Sequence, residues 1–300
     1  MLPLALLTLW TSVTTPPLRH VINLDYSTGN ISVFTVSGQR ATLEHRFTVV
    51  DPRFGSPGGL AARAGLIYTA VASSNGTPCA ACFEVLGLDG ALVAQVAAPR
   101  LLALSSAPDI TDIAVDARGE VFLSDYGQRA AYYYVSGHSG YVGPSLVEIG
   151  AGAASVAVSP NGGLVYVQGN CGFGQAREYV REGSGGYVAH NCFGIGTIAL
   201  IGGAADDAGD VFTPVDGVFG LVSISDAAGN GYTFSIPDPR GGIGGVALSP
   251  DASVAYVADH TREVIYAFAR PPGGWLSGKK PKVVGKVTGF KALDVIAVLP

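Results

Sequence analysis

The sequence predicts an all-β chain folded as a ring of six four-stranded antiparallel blades, a β-propeller. Three observations carry that prediction: a recurring apolar-Ala-apolar triplet, a composition rich in turn formers and poor in charge, and two chain ends that each hold part of one blade. Of 300 residues only 14% are charged, while Gly reaches 42 and Pro 18, and no long run of helix formers has a 3.6 period. Many short strands joined by tight turns satisfy such a composition. The length suits one large all-β domain, which we assign to 18–300.

The triplet occurs six times: Leu60-Ala61-Ala62, Ile113-Ala114-Val115, Val156-Ala157-Val158, Ile198-Ala199-Leu200, Val246-Ala247-Leu248 and Ile296-Ala297-Val298. Successive alanines lie 53, 43, 42, 48 and 50 residues apart, a period that holds several strands per repeat. Innermost strands of all blades converge on one axis, so a small residue there leaves room for its neighbours. A seven-bladed ring is the alternative if the interval 46–110 hides another blade.

Taken in order, the hairpin from His20 to Val36 has the pattern of middle strands without a triplet before it. The third blade follows its triplet with a turn at Asp116–Gly119, the strand "EVFLS" and the strand "AAYYYV". Its Tyr132, Tyr133 and Tyr134 should alternate faces and pack. The fourth blade shows the turn Ser159–Gly163, then "LVYVQ" and "AREYV"; the sixth shows Ser249–Ala252, then "VAYVA" and "EVIYAF". At the C-terminus, "ALDVIAV" has a triplet with no strands after it, so the two ends should complete one blade and close the ring.

Residues 1–17 read as a signal peptide, with an apolar core from Leu2 to Trp10 and small or hydroxylated residues after it. That core is too short to span a bilayer, which takes roughly 20 residues. Sequons at Asn30 and Asn75 and an even number of cysteines fit a secreted protein. Propeller topology brings Cys171 and Cys192 to one face of the fourth blade, predicting a bridge between them and leaving a local Cys79–Cys82 pair. A redox CxxC would want a βαβ setting, and a four-thiolate zinc site would need two distant blades to converge.

Two segments support a resemblance. "ITDIAVDARGEVFLSDYGQRAAYYYV" is similar to an NHL repeat, and "GGVALSPDASVAYVADHTREVIYAF" resembles strands of the gluconolactonase-like (senescence-marker-protein) and YVTN propellers. The resemblance implies one divalent cation, Ca²⁺ or Zn²⁺, held by a Glu, Asn residues and an Asp to polarise a lactone carbonyl. Asp259 in "YVAD" stands at the family's Asp, but the family's Asn in "NGLA" corresponds to Gly244 here. Asp25 and Asp125 occupy the Asp259 position in two other blades, where an Asp commonly caps a turn. Asp112 and Asp294, near inner-strand entrances, would complete a three-carboxylate site with Asp259, and His260 is the candidate general base.

The net charge of −5, with one basic run, "GKKPKVVGK", gives nucleic-acid binding little support. No later run is long enough to span a membrane. Three functions remain: a secreted, monomeric binding module for a small molecule, glycan or protein on the loop face of the channel; a metal-dependent lactonase; and a purely structural role. The binding module accommodates the missing ligands best.

Overall fold

The computed structural model describes residues 18–49, 58–72, 81–98, 108–138, 140–149, 153–169, 171–172, 174–183, 185–195, 202–215, 220–237 and 242–299. Residues 1–17 and the 198–200 triplet lie outside the described residues. Blade 1 contains β1 (His20–Asp25), β2 (Asn30–Ser37) and β3 (Arg40–Thr48). Blade 2 is β4 (Gly58–Arg63), β5 (Leu66–Ala72), β6 (Ala81–Gly87) and β7 (Leu92–Ala97). Blade 3 is β8 (Ile110–Val115), β9 (Val121–Asp125), β10 (Ala130–Gly137) and β11 (Gly140–Ile149). Blade 4 is β12 (Ser155–Val158), β13 (Leu164–Gln168), β14 (Gln175–Glu182) and β15 (Gly186–Gly194). Blade 5 is β16 (Ala204–Ala205), β17 (Val211–Pro214), β18 (Leu221–Ser225) and β19 (Gly231–Ser235). Blade 6 is β20 (Ile243–Leu248), β21 (Val254–Asp259), β22 (Val264–Ala269) and β23 (Lys282–Val287), after which β24 (Val295–Leu299) returns to blade 1.

Six sheets of four antiparallel strands result, and the described residues include no helix. Closure follows the predicted scheme: β24 pairs with β1 in the register Val21↔Val298 and Ile22↔Ala297. The apolar residues segregate into six clusters, one between each pair of neighbouring blades. Strand alternation explains the triplets more finely than crowding at the axis. Ile113, Val156, Val246 and Ile296 pack toward the preceding blade, while Ala114, Ala157, Ala247 and Ala297 face the following one. A small residue on that second face lets the next inner strand approach.

Blade 5 departs from the expected register. The first described strand of its sheet is the short β16, and its turn Asp206–Asp210 repeats the backbone bonding of Asp116–Glu120 in blade 3: in each the first residue's N–H bonds to the last residue's carbonyl. The three tyrosines of β10 alternate as predicted and all are buried, with Tyr133 Oη donating to Gly185 O (2.6 Å) and Tyr134 Oη to Ala97 O (3.2 Å). They pin blade 3 to both neighbours rather than offering a surface.

Between blades 5 and 6, the connection before β23 drives Trp275 into the core, fully buried, edge-on to Phe212 at 5.1 Å, with Nε1 donating to Ala252 O at 3.0 Å. Trp275→Ala should cost about 3–5 kcal/mol. By calorimetry the melting temperature should fall by about 10 °C, and Trp275→Phe should lose less; equal losses in both would refute a volume-based account.

Candidate functional site

Each inner strand starts at an entry face and ends in the turn to the second strand, the turn face. On the entry face the three aspartates that end second strands do similar work. Asp25 accepts from Ser27 N (2.9 Å), Ser27 Oγ (2.6 Å) and Thr28 Oγ1 (2.6 Å). Partial burial pushes its pKa up, yet those hydrogen bonds outweigh that effect and hold the carboxyl below its ordinary range. Asp125 accepts from Asp109 N, Gln128 N and Gln128 Nε2 within 2.9 Å. Asp259 Oδ1 accepts from Arg262 N at 3.1 Å, while Oδ2 is buried without a hydrogen-bond partner. All three cap their turns.

Asp112 and Asp294 both act on Tyr26, a residue without a signal in the sequence. Asp294 Oδ2 accepts weakly from Tyr26 N (3.4 Å), and its own N–H donates to Asn23 Oδ1 (2.6 Å). Burial, then the negative fields of Asp112 and Asp294, push the Tyr26 hydroxyl well above its usual range. Asp294 is itself pushed up by burial, an effect that the Tyr26 N–H and nearby His260 oppose. His260 is exposed, its ring against Gly242. Alternation along β21 puts Asp259 on the side of Val257, toward blade 5, and away from Asp294.

The cation implied by the resemblance does not fit these residues. Among the described residues no three His, Cys, Asp or Glu side chains stand together as a metal-binding group. The family's Asn is also sterically barred: a Cβ at Gly244 would lie 2.5 Å from Asp294 O. Inner strands meet too closely at this face for a ligating side chain there.

Asp112 has a different role. Its Oδ1 accepts from Ile113 N (2.9 Å) and its Oδ2 from Val156 N (3.2 Å), so one carboxyl serves the inner strands of blades 3 and 4. Burial nonetheless pushes its pKa up to about 7, against those two bonds. At 5% exposure it lines the central channel, a cavity of about 480 Å³ walled by Ala, Val, Leu and Ile of the inner strands. Arg63 and Asp112 are the only charged residues in that wall among the described residues. Exposure grades along it: Leu60, Val156 and Val246 are buried, Ala62, Val158 and Leu248 half-buried, Ala64 and Pro250 exposed. The described wall is therefore most exposed toward the turn face, with Asp112 at its buried end.

The Cys171–Cys192 disulfide is formed, joining Cα atoms 5.7 Å apart. Cys82, on β6, is also disulfide-bonded, and Cys79 and Asn75 lie outside the described residues. Asn30 opens β2, with Nδ2 donating to Thr28 Oγ1 (2.8 Å). No described helix is long and apolar enough to cross a membrane.

No protein-family profile matches the chain, and no curated protein matches it. Solved structures do. The chain is similar to the periplasmic gluconolactonase PpgL of Pseudomonas aeruginosa, at 16% identity and TM-score 0.53, over 91% of this chain and 81% of that one. It is similar to a functionally unknown protein from Desulfotomaculum acetoxidans (13%, 0.54, 93% and 98%) and to a chain of the nidogen/laminin complex (13%, 0.54, 93% and 97%). These likenesses establish the propeller fold; they do not single out NHL or senescence-marker-protein propellers, so that resemblance rests on the repeat pattern.

Proposed function

We propose that the chain is a binding module that takes a small molecule with an apolar body into the central channel from the turn face, with a hydrogen-bond donor directed at Asp112. One observation carries this reading: an aliphatic channel of about 480 Å³ with a single buried carboxyl, Asp112, in its described wall. The volume falls within the roughly 300–1,000 Å³ usual for ligand pockets, which pair apolar walls with few polar groups. The formed disulfide supports work outside a reducing cytosol, as the leader reading at 1–17 suggests.

Calorimetric titration tests it with three ligands that share one apolar body: cyclohexylmethylamine, cyclohexylmethanol and cyclohexanecarboxylate. The amine should bind tightest, more tightly at pH 8 than at pH 6, and Asp112→Asn should remove the preference. Best binding by the carboxylate, or an unchanged ranking in the variant, would overturn the assignment. Chelator-sensitive turnover of δ-gluconolactone, lost in Asp259→Ala or His260→Ala, would replace it with the metal-dependent lactonase.

A further inference from the structure

The protein has five lysines, and all lie between 279 and 291: Lys279, Lys280, Lys282, Lys286 and Lys291. From Arg270 to Lys291 the sequence holds six cations and no acidic residue, in a chain whose net charge is −5. The structure places this run on the rim of blade 6. Lys279 and Lys280 precede β23, Lys282 and Lys286 lie on it, and Lys291 leads toward β24; all five are exposed. Among the described residues every ion pair uses Arg or His, and none uses a lysine. Arg270 is tied to Asp206 at 3.8 Å, leaving the lysine charges uncompensated.

Edge-strand lysines commonly guard against sheet-to-sheet aggregation. That account does not explain the concentration, because the outer strands β3, β7, β11, β15 and β19 manage without any lysine. A β-bulge then shapes the patch. Ala267 pairs with Gly285 and Phe268 with Val283, so Val284 is the extra residue. Across the bulge, Lys286 shares a side with Tyr266, toward blade 5, at 5.9 Å from its ring, while Lys282 shares the opposite side with Ala269. An unbulged strand would have put Lys282 and Lys286 on one face. The cations thus straddle a ridge whose outer backbone edge, Lys282–Val287, pairs with no strand among the described residues, the bridge from Arg40 to Thr288 lying just beyond it.

We propose that this rim docks a linear acidic polysaccharide. A flexible polyanion can follow a ridge and engage both of its sides, whereas a flat anionic membrane meets mainly one. Carboxylate, sulfate and hydroxyl oxygens can also take the free N–H groups of the edge. Nucleic acid fits less well: the nearby aromatics Tyr266, Trp275 and Phe290 are all buried, leaving no platform for a base. The disulfide also indicates an oxidising compartment.

The test is biolayer interferometry on the full chain with immobilised polygalacturonate and dextran sulfate, and neutral dextran as reference. If about four lysines displace counterions, log K should fall with log salt at a slope of about −3, or roughly 50-fold between 50 and 200 mM, on the scale known for single-stranded polyelectrolytes. The variant Lys279→Gln/Lys280→Gln/Lys282→Gln/Lys286→Gln should lose at least about tenfold in affinity and most of that slope, with its melting temperature unchanged. Arg19→Gln/Arg129→Gln, which removes two exposed cations elsewhere, should bind as the parent does. Equal binding by the four-lysine variant, or equal retention on neutral dextran, would refute the proposal. Tighter binding to poly(dT) or phosphatidylglycerol vesicles than to either acidic polymer would also refute it, reassigning the rim to that partner. Neither the channel nor Asp112 enters this experiment.

Discussion

Truncation after Asp294 is expected to abolish the cooperative thermal transition and leave a soluble-aggregate peak on size exclusion. The deletion removes Val295–Leu299, the inner strand of blade 1. Val295, Ala297 and Leu299 belong to the core between blades 1 and 2, and Ile296 to the core between blades 6 and 1, so two of six interfaces are opened at once. At about 1.5–3 kcal/mol for each large buried aliphatic side chain, the loss is on the order of 8 kcal/mol. A domain is stable by only about 5–15 kcal/mol in total. Loss of β24 also turns β1 into an edge strand with no partner, which invites pairing with another chain. A peptide spanning 293–299, added in trans, should restore part of the transition by refilling that edge. A truncated chain that melts cooperatively within about 5 °C of the parent would show that the blades do not need ring closure, contrary to the general logic of propellers.

The ring was legible because its repeat is written in local chemistry. Turn residues at Asp116–Gly119, Ser159–Gly163 and Ser249–Ala252 mark where each inner strand ends, and the triplet ahead of them marks its two faces. Blade 5 was harder to read for a related reason. Its inner strand is only two residues long, too short for a triplet to stand out, although "DDAGD" at Asp206–Asp210 matches "DARGE" at Asp116–Glu120 and signalled the correct register. The Cys171–Cys192 bridge was readable because strand order alone fixes which loop ends share a face.

The site was less legible. Asp259 matched a familiar motif, but the side to which it points depends on alternation along β21 against blade 5, which the motif does not encode. Tyr26 carried no signal beyond the dipeptide Asp-Tyr, repeated at Asp125-Tyr126, where the tyrosine is 57% exposed instead. Asp112 was noticed as an acid near an entrance. Its dependence on a bond to Val156, 44 residues away, arises only when two blades lie side by side.

That bond bears on the second large effect, a stability that falls with rising pH through Asp112. Burial lifts its folded-state pKa from the ordinary 3.8 to about 7. Below both values the carboxyl is protonated in either state and contributes nothing to the pH dependence. Between them the unfolded chain gives up its proton while the folded one keeps it, so stability declines as pH rises from about 4 to about 7 and levels off above. At 1.36 kcal/mol per pKa unit the full span is about 4 kcal/mol. Asp210 adds to the same slope, since burial and then the neighbouring Asp206 charge raise it to about 6. Asn resembles a protonated Asp in shape and charge, so Asp112→Asn should melt with the parent at pH 4 and about 10 °C above it at pH 8. A second observable follows from the same carboxyl: a bound amine stabilises the ionised form, so its binding should release a proton at pH 6 and none at pH 8.5. Melting curves offset by a constant at every pH would mean that the Ile113 and Val156 N–H groups already suffice to keep the carboxylate charged. In that case the amine should bind equally well at pH 6 and pH 8, and Asp112 in the channel would act as a fixed negative site rather than one that switches near neutrality.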